Sequence, residues 1–324
     1  MAKHVVVTGA AGFIGSHLSE ALLARDHAVV GVDCLTDYYD IRIKRDNLSR
    51  FASHKNFRFV EESLTTTDLD ALLNGASAVF HLAAQAGVRR SWGTDFEQYI
   101  EHNIRSTQLL CEALRRHAGV RMVYSSSSSV YGQTARLPMQ EDHPTRPRSP
   151  YGVTKLAGEA LCLLYGANHG VPVACLRYFT VYGPRQRPDM AFHKFIRAAF
   201  AGTPAEVYGS GAQTRDFTYV ADAVAANVAA MEYDGGATVF NVGGGSRVTL
   251  NHVLDIIADV TRRTLDLRFM DEQKGDVMHT YADVSLAAAE LGYRPTVPVE
   301  EGIVREAEWV EAIYRRLDGA GGGA

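Results

Sequence analysis

The sequence has few of the features that mark metal-binding, secreted or membrane proteins. It contains only four cysteines, with neither a Cys-x-x-Cys pair nor a Cys/His set at zinc spacing, and its twelve histidines show no metal-binding pattern. It has no run of roughly 20 apolar residues that could cross a membrane, and its first residues lead into a strand without a signal-peptide core. We therefore predict buried, unpaired cysteines, no metal, no membrane contact and a cytoplasmic protein.

Positive charge is not in excess either. The 33 Lys and Arg residues face 37 Asp and Glu residues, which gives a net charge of −4. Nucleic acids and anionic membranes are bound by broad cationic surfaces, so no such partner is expected, although a few arginines can still bind a small anion. Hydrophobic residues make up 46% and charged residues 22%, ordinary values for a globular protein that exclude a disordered or fibrous chain.

The first part of the chain alternates short apolar runs with helical patterns. Continuous apolar strands separated by helices predict an α/β fold, a doubly wound parallel sheet covered on both faces. The strands are predicted at 4–8, 27–33, 57–61, 78–84, 120–126 and 171–179, and the main helices at 13–25, 96–117 and 151–169.

The pattern changes after Tyr182, where the Arg- and Pro-rich segment GPRQRPDM indicates a loop. We predict a smaller mixed α/β domain over 183–318, from which the chain can cross back to the main sheet, and a flexible tail at 319–324 (GAGGGA). Its helices are predicted at 192–201, 220–232, 250–264 and 300–316, and its strands at 206–208, 238–242 and 265–270.

A glycine-rich turn, TGAAGFIG, joins the first predicted strand to a helix. Gly9, Gly12 and Gly15 allow a sharp turn, a close approach to a pyrophosphate at the helix N-terminus, and tight packing of the helix. Asp33 ends the next strand, where its carboxylate can bind both hydroxyls of an adenosine ribose and would repel a 2′-phosphate. The pattern predicts a Rossmann-type domain over 1–182 that binds NAD rather than NADP, the alternative being an incidental turn with a capping aspartate.

Tyr151 and Lys155 open a predicted helix directly after Pro150 and lie on one helical face. A lysine cation beside a phenol favours the phenolate and lowers its pKa. The spacing alone fits a purely structural helix equally well. The serine run 125–129 favours the functional interpretation, because it follows a strand at the carboxyl edge of the sheet, where open α/β sheets bind ligands.

Seven segments in order resemble the extended short-chain dehydrogenase/reductases, and within them the nucleotide-sugar epimerase/dehydratase group. The resemblance runs from Val5 to about Trp309 and implies that Tyr151 is the general base, that Lys155 binds the nicotinamide ribose and tunes Tyr151, and that Ser127 hydrogen-bonds the reacting hydroxyl. The segments are TGAAGFIG, HLAAQAGVR, SSSSSVYG, SPYGVTK, LRYFTVYGPRQRPDM, QTRDFTYV and GDVMHTYADV.

The resemblance also implies the remaining NAD contacts. Ser63 stands where many members have an acid that contacts adenine, and its hydroxyl can still form a hydrogen bond. Asn103 matches a family asparagine near the site, although an asparagine on a helix face is an equal alternative. The full expected NAD set is Gly9, Gly12, Phe13, Ile14, Gly15, Asp33, Ser63, Leu64, Leu82, Ala83, Ala84, Tyr151, Lys155 and Tyr178.

For the substrate, the resemblance implies a UDP-sugar. Arg215 matches a diphosphate-binding arginine, Tyr208 is expected to cover uracil, and Asp276 to bind a ribose hydroxyl. A surface charge at Arg215 and a core aromatic at Tyr208 are the alternatives. The expected substrate set is Arg89, Ser127, Ser128, Ser129, Thr180, Arg187, Tyr208, Arg215 and Asp276.

The residues before Val-Tyr-Gly divide the family by reaction. At these positions the 4,6-dehydratases carry residues that resemble Thr-Asp-Glu, and decarboxylating members carry Glu. In this chain Ser127, Ser128 and Ser129 supply no carboxylate that could act as an acid or base on a second carbon. One base and NAD suffice to oxidise and reduce a single carbon. We therefore expect inversion at carbon 4 through a 4-keto intermediate. A dehydratase or decarboxylase, an alcohol dehydrogenase that releases reduced cofactor, and a non-enzymatic NAD-sensing protein are the alternatives.

Within the group, HLAAQAGVR and TVYGPRQRPDM look most like UDP-glucuronic acid 4-epimerases. Arg187, and Thr180 in place of the asparagine of UDP-galactose enzymes, can hold a carboxylate at carbon 6, and Thr280 leaves room for it. There are two arguments against this interpretation. Arg185 and Arg187 could instead bind only phosphate or solvent, and the segment QTRDFTYV fits enzymes that act on neutral sugars equally well. UDP-glucuronate to UDP-galacturonate is the favoured reaction, with UDP-glucose/UDP-galactose as the alternative.

The family resemblance also implies an oligomer. In relatives, helices matching 96–117 and 151–169 pair across a two-fold axis into a four-helix bundle, so we expect a homodimer.

Overall fold

The computed structural model describes residues 3–134, 136–273 and 275–319. The strands are β1 (His4–Thr8), β2 (Ala28–Val32), β3 (Phe57–Val60), β4 (Ala76–His81), β5 (Arg121–Ser127), β6 (Val173–Tyr178), β7 (Thr180–Tyr182), β8 (Ala205–Tyr208), β9 (Thr214–Tyr219), β10 (Thr238–Val242), β11 (Arg247–Thr249) and β12 (Leu267–Met270). The α-helices are α1 (Phe13–Leu23), α2 (Ile41–Ser49), α3 (Leu69–Leu73), α4 (Phe96–Tyr99), α5 (Ser106–Leu114), α6 (Pro150–His169), α7 (Ala191–Ala201), α8 (Val220–Glu232), α9 (Leu250–Thr261), α10 (Ser285–Leu291) and α11 (Val299–Gly319).

A seven-stranded parallel sheet in the order β10-β6-β5-β4-β1-β2-β3 forms the centre of the molecule. Apolar residues of α1, α2 and α8 pack on one face, and those of α3, α5 and α6 on the other. The strand residues Val5, Val6 and Val7 have no exposed surface, as a sheet covered on both faces requires. This confirms the predicted α/β doubly wound fold.

Two smaller sheets follow in the second half, in the orders β11-β9-β7 and β12-β8. The helices α7, α9 and α11 pack against one another beside them. The strand β10 pairs in parallel with β6, with Val242 opposite Tyr178, so the chain returns to the main sheet that it left at the end of β6, Tyr178.

The helix predicted at 96–117 is present over 96–114, but it is not a regular α-helix. The segment is interrupted by a π-helix, Ile100–Arg105, between α4 and α5, and α5 ends at Leu114. The wider π-helical turn carries Asn103, whose side-chain amide makes three hydrogen bonds to neighbouring segments.

Two further expectations need correction. Cys111, Cys162 and Cys175 are buried and free, but Cys34 is exposed, because it follows β2 at the rim of a cavity described below. Gly319 is the last residue of α11 rather than the first of a tail. Residues 320–324 of the predicted tail lie outside the described residues. None of the described helices combines the length and apolarity needed to cross a membrane.

Candidate active site

A cavity of about 360 Å³ opens at the carboxyl edge of the main sheet. Every residue predicted to contact NAD lines it, from the glycine turn and Asp33 to Lys155 and Tyr178. Five predicted substrate residues line the same cavity: Ser127, Ser128, Ser129, Thr180 and Arg187. The parallel register explains this convergence, because the ends of neighbouring strands lie side by side.

The glycine turn is shaped by two close approaches of backbone to backbone. Gly9 has φ +71°, and a Cβ added there would stand 2.9 Å from the backbone nitrogen of Ala83. A Cβ on Gly15 would collide with the carbonyl oxygen of Gly9. Helix α1 then starts at Phe13 without a side-chain cap at Gly12. A bare turn at an uncapped helix N-terminus fits the pyrophosphate of a dinucleotide.

Asp33 is fixed where β2 meets this turn. Its Oδ2 accepts a hydrogen bond from the Ala11 backbone at 3.1 Å, and its Oδ1 accepts one from the Leu35 backbone at 2.8 Å. Burial raises the pKa of Asp33, while the Lys44 ammonium and these two amides oppose the rise. The carboxylate is therefore held in one orientation at the wall of the cavity, where an adenosine ribose is expected.

Tyr151 lies in the first turn of α6 and lines the cavity. Ser149 caps this helix by accepting a hydrogen bond from the Gly152 backbone at 3.1 Å, which fixes the first turn. Burial raises the pKa of Tyr151, whereas the Arg187 guanidinium and the Ser127 hydroxyl act in the opposite direction. Ser127 is itself fixed, since its Oγ accepts a hydrogen bond from the Ser129 backbone at 3.1 Å.

Lys155 follows one helical turn after Tyr151 and is also buried. Burial lowers its pKa to about 8. Its Nζ lies 4.7 Å from the centre of the Tyr124 ring, which favours the cation. The cavity thus brings together the Tyr151 phenol, the Ser127 hydroxyl and the basic side chains of Lys155 and Arg187. Of the two cations, Arg187 favours charge on the phenol.

The side chain of Asn103 forms its hydrogen bonds with other parts of the protein and not with Tyr151, Ser127 or Lys155. Its Oδ1 accepts from the Gln85 backbone at 2.7 Å, and its Nδ2 donates to the Gln85 carbonyl and the Thr154 hydroxyl, both at 2.9 Å. The amide joins the loop after β4 to α6, next to Lys155. It therefore holds two walls of the cavity together.

Four predicted substrate residues form a second cluster outside the cavity: Arg89, Tyr208, Arg215 and Asp276. Arg89 pairs with Asp276 at 3.0 Å, and its Cζ lies 4.0 Å from the centre of the Tyr208 ring. Arg215 donates to the Met278 carbonyl at 3.1 Å, and burial lowers its pKa. The cluster adjoins the cavity through Val88, the lining residue next to Arg89.

Two residues used in the sequence argument lie elsewhere. Arg185 is buried in an ion pair with Glu20 at 2.5 Å and contacts the Ser16 hydroxyl at 3.2 Å, so neither phosphate nor solvent is its partner. Thr280 is buried with its hydroxyl accepting from the Asp216 backbone at 3.2 Å. Because Thr280 does not line the cavity, its size does not create room for the sugar.

The partners of Arg187 were not predicted from the sequence. Its Nε and Nη2 donate to Asp189 at 2.9 and 3.0 Å, and the Tyr38 hydroxyl donates to the same carboxylate at 3.2 Å. The nearness of Asp189 in the loop was a usable signal, whereas nothing local connects Tyr38 to it. Tyr99 was also missed. It packs edge-on against Tyr151, with ring centres 6.4 Å apart, and its hydroxyl contacts the carbonyls of Ala86 and Gly87.

Comparison with known proteins gives consistent matches over nearly the whole chain. A family model described as "NAD dependent epimerase/dehydratase family" matches residues 5–243. A Bacillus subtilis (strain 168) protein named "Uncharacterized UDP-glucose epimerase YtcB" is 43% identical over 96% of this chain and 99% of its own. A UDP-glucuronic acid 4-epimerase from Bacillus cereus, solved with UDP-glucuronic acid and NAD, has a TM-score of 0.93 and 41% identity, covering 96% of this chain and 100% of that one. MoeE5, solved with UDP-glucose and NAD, has a TM-score of 0.87 and 42% identity, covering 96% and 99%.

Proposed function

The chain belongs to the NAD-dependent epimerase/dehydratase family, and from this premise we propose that it inverts carbon 4 of UDP-glucuronate to give UDP-galacturonate. The observation that carries the proposal is the meeting of Tyr151, Lys155 and Ser127 with the glycine turn in one cavity. Beside them, Ser128 and Ser129 offer hydroxyls and no carboxylate. One carbon can therefore be oxidised and reduced, whereas elimination of water has no second acid or base.

Each residue has a defined task in this reaction. NAD, for which the glycine turn and Asp33 form a fitting site, supplies a reversible hydride acceptor when bound. Ser127 hydrogen-bonds the 4-hydroxyl of the sugar, and Tyr151 removes its proton as carbon 4 is oxidised. Lys155, which would bind the nicotinamide ribose, and Arg187 stabilise the resulting phenolate. After the 4-keto sugar has presented its other face, Tyr151 returns the proton to the oxygen.

The cluster outside the cavity is the proposed nucleotide site. Arg215 would bind the diphosphate, Asp276 a ribose hydroxyl and Tyr208 the uracil ring. Arg89 supports this arrangement, because it contacts both Tyr208 and Asp276. A firm hold on the nucleotide allows the sugar to turn in the cavity without leaving the enzyme.

The acid group of the substrate creates a chemical hazard, because a 4-keto uronic acid is a β-keto acid that loses carbon dioxide readily. An epimerase must hold the carboxylate so that the breaking bond does not align with the keto π system. We assign this task to Thr180 together with Ser127, Ser128 and Ser129, all of which line the cavity. Arg187 supplies the positive charge.

UDP-glucose is the second candidate substrate, and one observation favours it. Arg187 is already paired with Asp189, so part of the positive charge expected to meet a carboxylate is compensated within the protein.

A single experiment separates the candidates. The purified protein is incubated separately with UDP-glucuronate and UDP-glucose, without added cofactor, and the products are identified by proton NMR. We expect UDP-galacturonate from the first. UDP-galactose alone would move the assignment to the neutral sugar, loss of carbon dioxide or water would indicate a decarboxylase or dehydratase, and accumulation of reduced cofactor would indicate a dehydrogenase. No conversion of either would overturn the proposal.

We also propose that the protein is a homodimer through the π-helix and α6. Ile100, Val153 and Leu164 expose 43%, 49% and 55% of their surfaces on these two elements. Large apolar side chains grouped on neighbouring helices favour burial against a second copy.

A further inference from the structure

Arg187 is held by the protein independently of any substrate. Its Nε and Nη2 form a two-pronged contact with the Asp189 carboxylate at 2.9 and 3.0 Å. Tyr38, from the loop between β2 and α2, donates to Oδ2 of Asp189 at 3.2 Å, the oxygen that also accepts from Nη2 of Arg187. Burial alone would raise the pKa of Asp189, but Arg187 and Tyr38 bring it below its ordinary value, so the carboxylate is charged at neutral pH.

This arrangement limits what Arg187 can offer a ligand. A guanidinium has five N–H donors, and the two nitrogens used here, Nε and Nη2, form one of its two edges that can meet a carboxylate through two hydrogen bonds. A second carboxylate can reach only the remaining edge, and it meets a pair whose net charge is zero. Its attraction is therefore weaker than that of an unpaired arginine in the same cavity.

From this geometry we infer that Asp189 is a positioning residue that limits how tightly Arg187 holds the carboxylate of the substrate. The inference rests on the proposed function, since it concerns the acidic sugar. Limited affinity would help the reaction because the sugar ring must turn between oxidation and reduction, and its carboxylate must then leave its first position. An unopposed, two-pronged contact would stabilise one bound orientation and slow that turn, since tighter ground-state binding does not accelerate a reaction.

The test replaces Asp189 by Asn, which keeps the shape and one acceptor but removes the charge. Binding is measured by calorimetry in a Tyr151→Phe background, so that no turnover occurs. We expect the dissociation constant of UDP-glucuronate to fall by about fivefold or more, because the Arg187 charge is no longer compensated. The dissociation constant of UDP-glucose should stay within about twofold, because a neutral sugar gains little from that charge. In the enzyme with Tyr151 intact, kcat for UDP-glucuronate should fall together with KM.

The matched control is Asp70→Asn. Asp70 also pairs through both oxygens with an arginine, Arg116, at 3.0 and 2.8 Å, but on the exposed surface. It should change neither dissociation constant. Weaker binding of UDP-glucuronate in Asp189→Asn, or a parallel change for both ligands, would overturn the inference, because a merely structural role predicts those results.

Tyr38→Phe provides a second route if Asp189→Asn does not fold. Removing the hydroxyl leaves Asp189 less firmly placed, and the same selective tightening should appear to a smaller degree; its absence would count against the inference. Failure of the proposed function is visible separately, in the NMR assay of the unaltered protein. Conversion of UDP-glucose alone would refute the proposed substrate, while the two dissociation constants would still decide the role of Asp189.

Discussion

The backbone nitrogen of Ala83 lies 2.9 Å from the point that a Cβ on Gly9 would occupy. In Gly9→Ala this contact would push the glycine turn away from the loop after β4, and both segments line the cavity in which we propose that NAD binds. We expect NAD to bind at least about fivefold more weakly, since strain of this kind costs about 1–3 kcal/mol. The NAD released on denaturing the purified protein measures this.

The control for that variant is Gly75→Ala. Gly75 has a similar left-handed backbone, φ +83°, but its added Cβ would meet nothing within 4 Å. It carries the backbone strain without the crowding and should retain NAD. Equal loss of NAD in both variants would show that crowding at Ala83 is not the cause.

Tyr151→Phe removes the proposed base while leaving the helix intact. We expect sugar interconversion to fall by about 10²–10⁴-fold, the usual contribution of a positioned acid–base group, with NAD still bound. Proton NMR follows the sugar, and Tyr165→Phe, on the same helix but directed at Glu112, is the control. Unchanged interconversion in Tyr151→Phe would remove the basis of the proposed mechanism.

Thr180→Val tests the hold on the carboxylate. It removes a hydroxyl from the cavity wall with little change of volume. We expect a UDP-pentose, formed by loss of carbon dioxide, or a higher KM for UDP-glucuronate, both visible by NMR. The exposed Thr264→Val should do neither. If product distribution and KM both stay at their original values in Thr180→Val, the role assigned to Thr180 is wrong.

Leu164→Glu tests the dimer. A charge placed on the apolar face of α6 would be desolvated in the interface, so we expect a monomer by light scattering where the unaltered protein is a dimer. Leu286→Glu, at a side chain exposed to 37% on α10, is the matched control and should remain dimeric. A dimer that persists in Leu164→Glu would exclude this face as the interface.

Acid should destabilise the fold through the half-buried His17. Burial, with help from nearby Arg185, lowers the pKa of His17 to about 3, from 6.5. Between these values the unfolded chain binds more protons, so stability is fully present above about pH 6.5 and is lost as the pH falls toward 3. In His17→Gln the fall in unfolding free energy from pH 7 to pH 5, measured in urea, should be smaller. An unchanged slope in His17→Gln would contradict the assignment.

The sequence predicted the main sheet closely because its strands are buried on both faces and so read as continuous apolar runs. Secondary-structure elements rich in polar residues were not predicted, because they lack a clear apolar pattern. Helix α2 was missed because charged residues dominate it, and β9, with the sequence TRDFTY, was read only as a motif. Within the π-helix, Asn103 bonds to Gln85 and Thr154, which are distant in sequence, and periodicity does not show such contacts.

The same division holds for the candidate site. The sequence could predict that the glycine turn and the strand ends lie together, because both are local signals and a parallel sheet aligns them. The contact between Tyr38 and Asp189 joins residues 151 positions apart, and only the folded chain reveals it. The role of Arg187 could be proposed from the sequence, but the compensation of its charge could not.

The return of β10 to the edge of β6 has a consequence for synthesis of the chain. Until residue 242 has emerged from the ribosome, β6 presents an unpaired edge of fully buried character, open to association with another nascent chain. We expect the first 182 residues expressed alone to aggregate rather than to form a separable nucleotide-binding unit. Fragment designs should therefore extend at least through Val242.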